Sequence, residues 1–413
     1  HSTATPVYWE ILEQDARGQV TKDQRNATAG LETRRGYDPA TGRVSSIASG
    51  SSNQIQNLQY GFDQAGNLLY RQDLRSNQVE RFEYDTIDRL LTAKLDTGSQ
   101  LLTLMALTYD PLGNICTKNS SSYLYAGKAG CAGSQQLPGS SPHQVTQAGG
   151  SIFGYDANGN GFYSAPSESV ERKLKFDPHQ RISSGTNGFA FNPAVATEFD
   201  YAPDLSLIAQ TEHSGGLSGS ITRRTHYVGA LEWTDRAPGG VTNREARLSL
   251  PGGVILLTQF AQGQPQARDQ RFTFQDHLGS VDAIASIGKG GVVSVIERMS
   301  FDAHGRRRTE TNWTTGLANY GPDATTRKGY TGHEQLDGLG LVHMRARVYD
   351  PALGRFLQAD PMVEADATQG WNRYSYVLNN ALNATDPTGM ISRKEALSAG
   401  RMIATIIISV YMP

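Results

Sequence analysis

The chain has 413 residues, with 38 basic against 40 acidic side chains, 38% hydrophobic and 19% charged residues. That near-neutral balance excludes the clustered basic excess of a nucleic-acid or anionic-membrane binder, and no run reaches the ~18 apolar residues of a membrane span. Two cysteines, Cys116 and Cys131, exclude a disulfide-dense scaffold and show no zinc-ligand spacing; they read as incidental thiols of a chain folded in a reducing cytoplasm.

At roughly 100–200 residues per domain, the length predicts two to four domains. The chain opens on His1 with neither an initiator Met nor a signal peptide, so it reads as a fragment or a processed product. From there a short phrase recurs: an aromatic, Asp, two or three residues, Gly or Asp, Asn or Arg, then an aliphatic. Tyr37-Asp38-Pro39-Ala40-Thr41-Gly42-Arg43-Val44 is the first copy. Phe62-Asp63-Gln64-Ala65-Gly66-Asn67-Leu68, Tyr84-Asp85-Thr86-Ile87-Asp88-Arg89-Leu90 and Tyr109-Asp110-Pro111-Leu112-Gly113-Asn114-Ile115 follow. The stretch from Gly127 to Gly150 is polar and Gly-rich and reads as a long loop between repeats. Copies resume at Tyr155-Asp156 and Phe176-Asp177, then continue more loosely at Phe199-Asp200, Phe274, Phe301-Asp302 and Tyr349-Asp350. Most intervals lie near 23–25 residues or a small multiple, the mark of a repeat architecture.

The phrase has a physical reading. The aromatic ends a strand with alternating faces. Asp opens a turn by accepting backbone N–H groups just ahead. Gly, or a neighbouring Asn, supplies the positive φ of a tight hairpin, and the aliphatic starts the return strand. A lone hairpin is marginal in water, so about 23 residues per unit must stack into a continuous sheet.

This phrase resembles the YD (tyrosine–aspartate) repeat of the Rhs proteins, the insecticidal toxin-complex C components and the teneurins. The end of the chain strengthens the resemblance. Gly329-Tyr330-Thr331-Gly332-His333-Glu334, Arg345-Ala346-Arg347-Val348-Tyr349-Asp350-Pro351, Gly354-Arg355-Phe356, Asp360-Pro361, Asn372-Arg373-Tyr374 and Asp386-Pro387-Thr388-Gly389-Met390 occur in the order of the Rhs-associated core. The resemblance implies an all-β fold: a hairpin strip spiralling into a hollow shell, with the core as a plug. It implies three segments: a shell over 1–328, the core over 329–390, and the start of a cargo or toxin segment over 391–413. The family makes such chains in the bacterial cytoplasm and secretes or injects them. The expected partners are the chain's own C-terminal segment, an N-terminal shell portion or B-component-like chain, and a secretion apparatus.

The resemblance also names a site. Arg347, Asp360 and Asp386 match the family's self-cleaving aspartyl protease, and the cut falls between Met390 and Ile391. Two carboxylates brought together cannot both ionise readily, so one keeps its proton and the other activates water. An Arg holds the ionised one in place. Asp360 and Asp386 lie further apart here than in the family pattern; the extra residues read as a loop at Glu364–Gly370. Taken singly, Asp360-Pro361 and Asp386-Pro387 are ordinary turn formers. No cofactor and no metal is expected. Asp156-Ala157-Asn158-Gly159-Asn160-Gly161 opens like a calcium loop, but Ser167 stands where the bidentate acid belongs. The scattered His read as structural, Trp233 and Trp371 as packing residues, and Arg306-Arg307-Arg308 as a solvated strand edge. Ser392 and Glu395 form a capping box that predicts a helix start in the tail. The competing reading is a structural or adhesive YD-repeat module, teneurin-like or wall-associated, that binds carbohydrate or protein and does not cut itself.

Overall fold

The computed structural model describes residues 7–26, 30–126, 131, 141–167, 170–189, 192–236, 243–288, 291–317, 325–363 and 369–390. Among them, strands β1 (Trp9–Gln14) to β25 (Val293–Arg298) form one sheet. Each strand pairs antiparallel with the next, as in β15 (Val170–Phe176) with β16 (Ile182–Phe189), so the strip is a single meander of hairpins. No helix among the described residues is long and apolar enough to cross a membrane.

The repeat phrase builds one hairpin turn many times. The aromatic faces the returning aliphatic across the ladder: Tyr37 with Val44, Phe62 with Leu68, Tyr84 with Leu90, Phe176 with Ile182; at Tyr155 the facing residue is Gly161. A register shift at the aromatic marks a bulge, which bends and twists the strand. The Asp carboxylate then accepts the N–H groups ahead, for example those of Gly66 and Asn67 on Asp63 and of Ile87 and Arg89 on Asp85. The residue of positive φ is Gly66, Gly113 or Gly159 in most copies, but Asp88 and Gln180 take that conformation too.

Two copies differ from the sequence reading. The turn assigned to Phe199-Asp200 is made by Tyr201 to Leu207, with Leu205 at positive φ; Phe199 and Asp200 lie inside a strand. An unrecognised copy stands at Gln14-Asp15-Ala16-Arg17-Gly18-Gln19-Val20, where Asp15 accepts the N–H groups of Arg17 and Gln19. Gln14 replaces the aromatic, which hid it.

The tyrosines also stitch neighbouring repeats. Tyr37, Tyr84, Tyr109 and Tyr125 each donate a phenolic hydrogen bond to the carbonyl of the preceding aliphatic: Val20, Leu68, Leu90 and Ile115, at 2.7–3.0 Å. Such a bond satisfies two groups that burial would otherwise leave unpaired.

The strip curls until its first hairpins meet its last. Leu31, Ile55, Val254, Phe272, Phe274 and Ala283 form one buried cluster across this seam. Gln56 Nε2 donates to Asp282 Oδ2 at 3.0 Å, and Arg298 Nη1 to the Ile55 carbonyl at 2.8 Å. The result is a shell whose inner face packs on the C-terminal core. Wall residues such as Leu68, Leu90 and Phe199 share a cluster with Leu336, Leu341, Val348 and Leu382 of the core. A cavity of about 640 Å³ remains between wall and core.

Several expectations need correction. Cys116 and Cys131 are not free thiols: they form a disulfide, Cα to Cα 5.2 Å, and Cys131 is buried. The segment from 127 to 150 is not all loop, because Val145–Ala148 is a strand paired on both sides. Arg308 is not a solvated edge residue. It is 3% exposed and pairs with buried Glu80 at 2.7 Å, beside Arg71. Trp371 is 59% exposed rather than packed, because it sits in a short excursion of the core. The tail, with Ile391 and the helix start expected at Ser392, and residues 364–368 of the inserted loop lie outside the described residues.

Candidate active site at the core hairpin

After a two-stranded ribbon of β26 (Ser300–Phe301) and β27 (Arg307–Arg308), the core carries a small sheet of β28 (Glu334–Leu336), β29 (Leu341–Met344), β30 (Arg347–Asp350) and β31 (Arg355–Phe356), paired in chain order. β29 and β30 join through a two-residue turn, Arg345-Ala346. Arg347 opens β30 and is buried, 4% exposed. Its guanidinium lies over the face of Phe356, 3.7 Å from the ring centre, a favourable place for a desolvated cation.

Arg347 is the hub of the site. Its Nη2 stands 2.8 Å from Asp360 Oδ2 and 3.1 Å from Asp386 Oδ2. Its Nη1 donates to the Arg373 carbonyl at 3.2 Å and its Nε to the Gly389 carbonyl. All three residues named from the sequence therefore converge on one guanidinium nitrogen. Burial lowers the pKa of Arg347, and the charges of Asp360 and Asp386 oppose that shift. The fold overcomes the sequence gap of 26 residues by pairing Asp360 with Arg373: the Asp360 N–H donates to the Arg373 carbonyl at 2.8 Å.

The two carboxylates differ. The side chain of Asp386 is 3% exposed and that of Asp360 15%. Asp386 Oδ1 accepts the N–H of Met390 at 3.0 Å, so this acid touches the residue on the N-terminal side of the expected cut. Asp360 Oδ1 caps its own turn by accepting the Met362 N–H at 2.9 Å.

The segment that carries Met390 is held by its backbone. The Thr388 carbonyl accepts the Ala346 N–H at 3.1 Å. Gly389 has φ +71°, and a Cβ there would lie 2.0 Å from the Met344 carbonyl oxygen. Only glycine fits between the hairpin and this segment. Around the site the His residues are structural: burial pushes His333 down to about 3 and His343 to about 4, so both are neutral. His343 shares a hydrogen bond of 2.9 Å with Tyr201 of the wall. Phe356 and Gly389 lie within the sequence motifs of the core, but their contacts with Arg347 and Met344 depend on the fold and carry no local sequence signal.

The arrangement can do acid–base chemistry. Two carboxylates share one cation, so protonating one leaves the other ionised and paired. One Cys/His/Asp/Glu cluster of metal-ligand geometry occurs among the described residues, Asp110 with Cys116 and Cys131, and its sulfurs are joined as the disulfide.

No family model matches the chain. The toxin subunit YenC2 of Yersinia entomophaga is 30% identical over 188 residues, covering 44% of this chain and 18% of that protein. The toxin protein Tse5 of Pseudomonas aeruginosa is 22% identical over 396 residues, covering 91% of this chain and 28% of that protein. Among solved structures, the crystal structure of TcdB2-TccC3-Cdc42 superposes with a TM-score of 0.71 at 17% identity, covering 98% of this chain and 20% of that chain. The chain thus spans less than a third of each. The chain shares the shell fold of that toxin-complex structure, and its repeated turn and the order of its core motif resemble those of the Rhs/YD-repeat proteins.

Proposed function

We propose that the chain is the C-terminal part of a bacterial toxin shell that cuts itself once, after Met390, and keeps the released segment inside. In this reading residues 1–328 form the wall, 329–390 the core that cuts, and 391–413 the start of the cargo. The observation that carries it is the convergence of Asp360 and Asp386 on Arg347, with Asp386 hydrogen-bonded to Met390. Two of the relatives, YenC2 and Tse5, are toxin components, which supports a toxin-associated role. The partners proposed are a B-component-like chain or N-terminal shell portion, and a secretion or injection apparatus.

The chemistry balances as a hydrolysis. The ionised carboxylate takes a proton from water as its oxygen attacks the Met390 carbonyl carbon. The protonated carboxylate gives its proton to the carbonyl oxygen. The acid that took the water proton passes it to the Ile391 nitrogen; the tetrahedral diol then collapses, the C–N bond breaks to release the amine, and a diol hydroxyl returns its proton to the other carboxylate as the Met390 carboxyl forms. Asp360, the more exposed acid, suits the water-activating role; Asp386 suits the one that stays by the peptide. Arg347 keeps the pair poised and, through the Gly389 carbonyl, aligns the chain at the cut.

The test is the mass of the freshly synthesised full chain. A break after Met390, absent in Asp386→Asn and Asp360→Asn, is the expected outcome. An intact wild-type chain, or a variant that still yields a fragment ending at Met390, contradicts the proposal.

A further inference from the structure

The turn that aims Arg347 is strained and is gripped by the wall. Arg345, first residue of the β29–β30 turn, has φ +57°. A residue with a side chain is disfavoured there, and such outliers persist only where neighbours hold them. Two neighbours do so. On one side the Ala346 N–H donates to the Thr388 carbonyl. On the other, Arg181 Nη1 donates to the Arg345 carbonyl at 2.8 Å.

Arg181 belongs to a wall turn, Asp177 to Arg181, which itself departs from its relatives. Its positive-φ position holds Gln180, at φ 66°, where most copies have Gly. The Gln180 carbonyl accepts the Nε2 of Gln358 at 3.3 Å. Gln358 is 2% exposed, and its Oε1 accepts the N–H of Val348, the residue after Arg347, at 2.8 Å. One repeat turn therefore touches both ends of the short stretch from 345 to 348: directly at Arg345 and through a buried amide at Val348. A buried amide bridging two backbone groups leaves both unpaired if it goes.

We propose that the Gln180–Arg181 turn of the wall is a positioning element for the site, so that Arg347 reaches both carboxylates only when the core is seated on this turn. The inference rests on the self-cutting reading above and adds a condition to it: cutting follows seating. Arg181 and Gln358 are then positioning residues, acting through Arg347 and touching neither the carboxylates nor Met390.

The experiment follows the fraction of full chain cut at Met390 against time in cell-free synthesis, with thermal unfolding measured in parallel. Arg181→Met slows cutting about fivefold, equivalent to ~1 kcal/mol, with the unfolding midpoint little changed. Arg181→Lys, which keeps a cationic donor, recovers to within about twofold of wild type. Adding Arg345→Gly to Arg181→Met also restores most of the rate, because glycine holds a positive φ without help. Gln358→Leu slows cutting more than Arg181→Met. The inference is overturned if Arg181→Met cuts at the wild-type rate, or if it is slow and neither Arg181→Lys nor Arg345→Gly restores it. A wild type that never cuts overturns the proposed function together with this inference; a wild type that cuts while Arg181→Met matches it overturns this inference alone.

Discussion

The wall and the core use the same chain for opposite ends. The wall repeats one solution: an Asp-capped turn, a bulge at the aromatic and a phenol bonded to the previous repeat. Each turn is one of about ten, so its loss is local. The core uses each of its buried polar groups once. Arg347 serves two carboxylates and two carbonyls. The comparison teaches that redundancy sits where stability is needed, and singular contacts where chemistry is proposed.

Paired glycines give the largest contrast. Gly389→Ala drives a Cβ to within 2.0 Å of the Met344 carbonyl oxygen, a backbone atom that cannot swing away. Cutting should fall at least ~1000-fold (~4 kcal/mol), read by mass spectrometry. Gly66→Ala in the wall meets only the flexible end of Arg43. It should cost about 1–2 kcal/mol of stability for its positive φ and leave cutting unchanged. Equal effects on cutting would erase the distinction.

Acid should then separate core from seam. Burial holds His143 and His343 down near 4 and His333 near 3. Each therefore binds a proton more readily when unfolded. Their contribution is complete above about pH 6.5, the ordinary value, and is lost as pH falls through 4 toward 3, on the order of 3 kcal/mol for each of the fully buried His333 and His343 and less for the partly solvated His143. Asp282, at the seam, runs the other way. Burial raises it to about 7, so the folded acid keeps its proton and stability is lost as pH rises from about 4 through 7. Hydrogen exchange across pH 4–7.5 should show protection of residues 341–350 growing with pH and that of the seam strands near 272–285 shrinking. Parallel trends would contradict this division.

The disulfide gives a smaller effect, confined to the wall. Cys116 and Cys131 close a loop of 15 residues, which stabilises by about 2–3 kcal/mol. Cys116→Ser, or a dithiol reductant, should lower the unfolding free energy by about that amount, read from denaturant unfolding, while cutting proceeds. A variant that loses cutting without losing stability would tie this bridge to the core instead.

The wall was largely legible because its signal is local. An aromatic, an Asp and a glycine within a few residues determine a turn by their own hydrogen bonding, and Tyr37 to Val44 reads directly as one. Local reading failed where chemistry was replaced without changing backbone shape, as at Gln14-Asp15 and at Tyr201 with Leu205. The site trio was legible only through the family motif, since spacing alone cannot bring Asp360 and Asp386 to Arg347. Long-range pairing was invisible. The Arg308–Glu80 pair, the phenol-to-carbonyl stitches and the Arg181–Arg345 contact depend on how distant strands are stacked. The cysteines were misread because two thiols carry no spacing rule, and only the fold brings them together.

The most direct test of a carboxylate-driven hydrolysis at this site is synthesis of the full chain in water enriched in oxygen-18, followed by mass analysis of the new C-terminus. The account predicts a fragment ending at Met390 whose terminal carboxylate carries one heavy oxygen, and no such fragment from Asp386→Asn. An intact chain, or a Met390 end without the label, would contradict it.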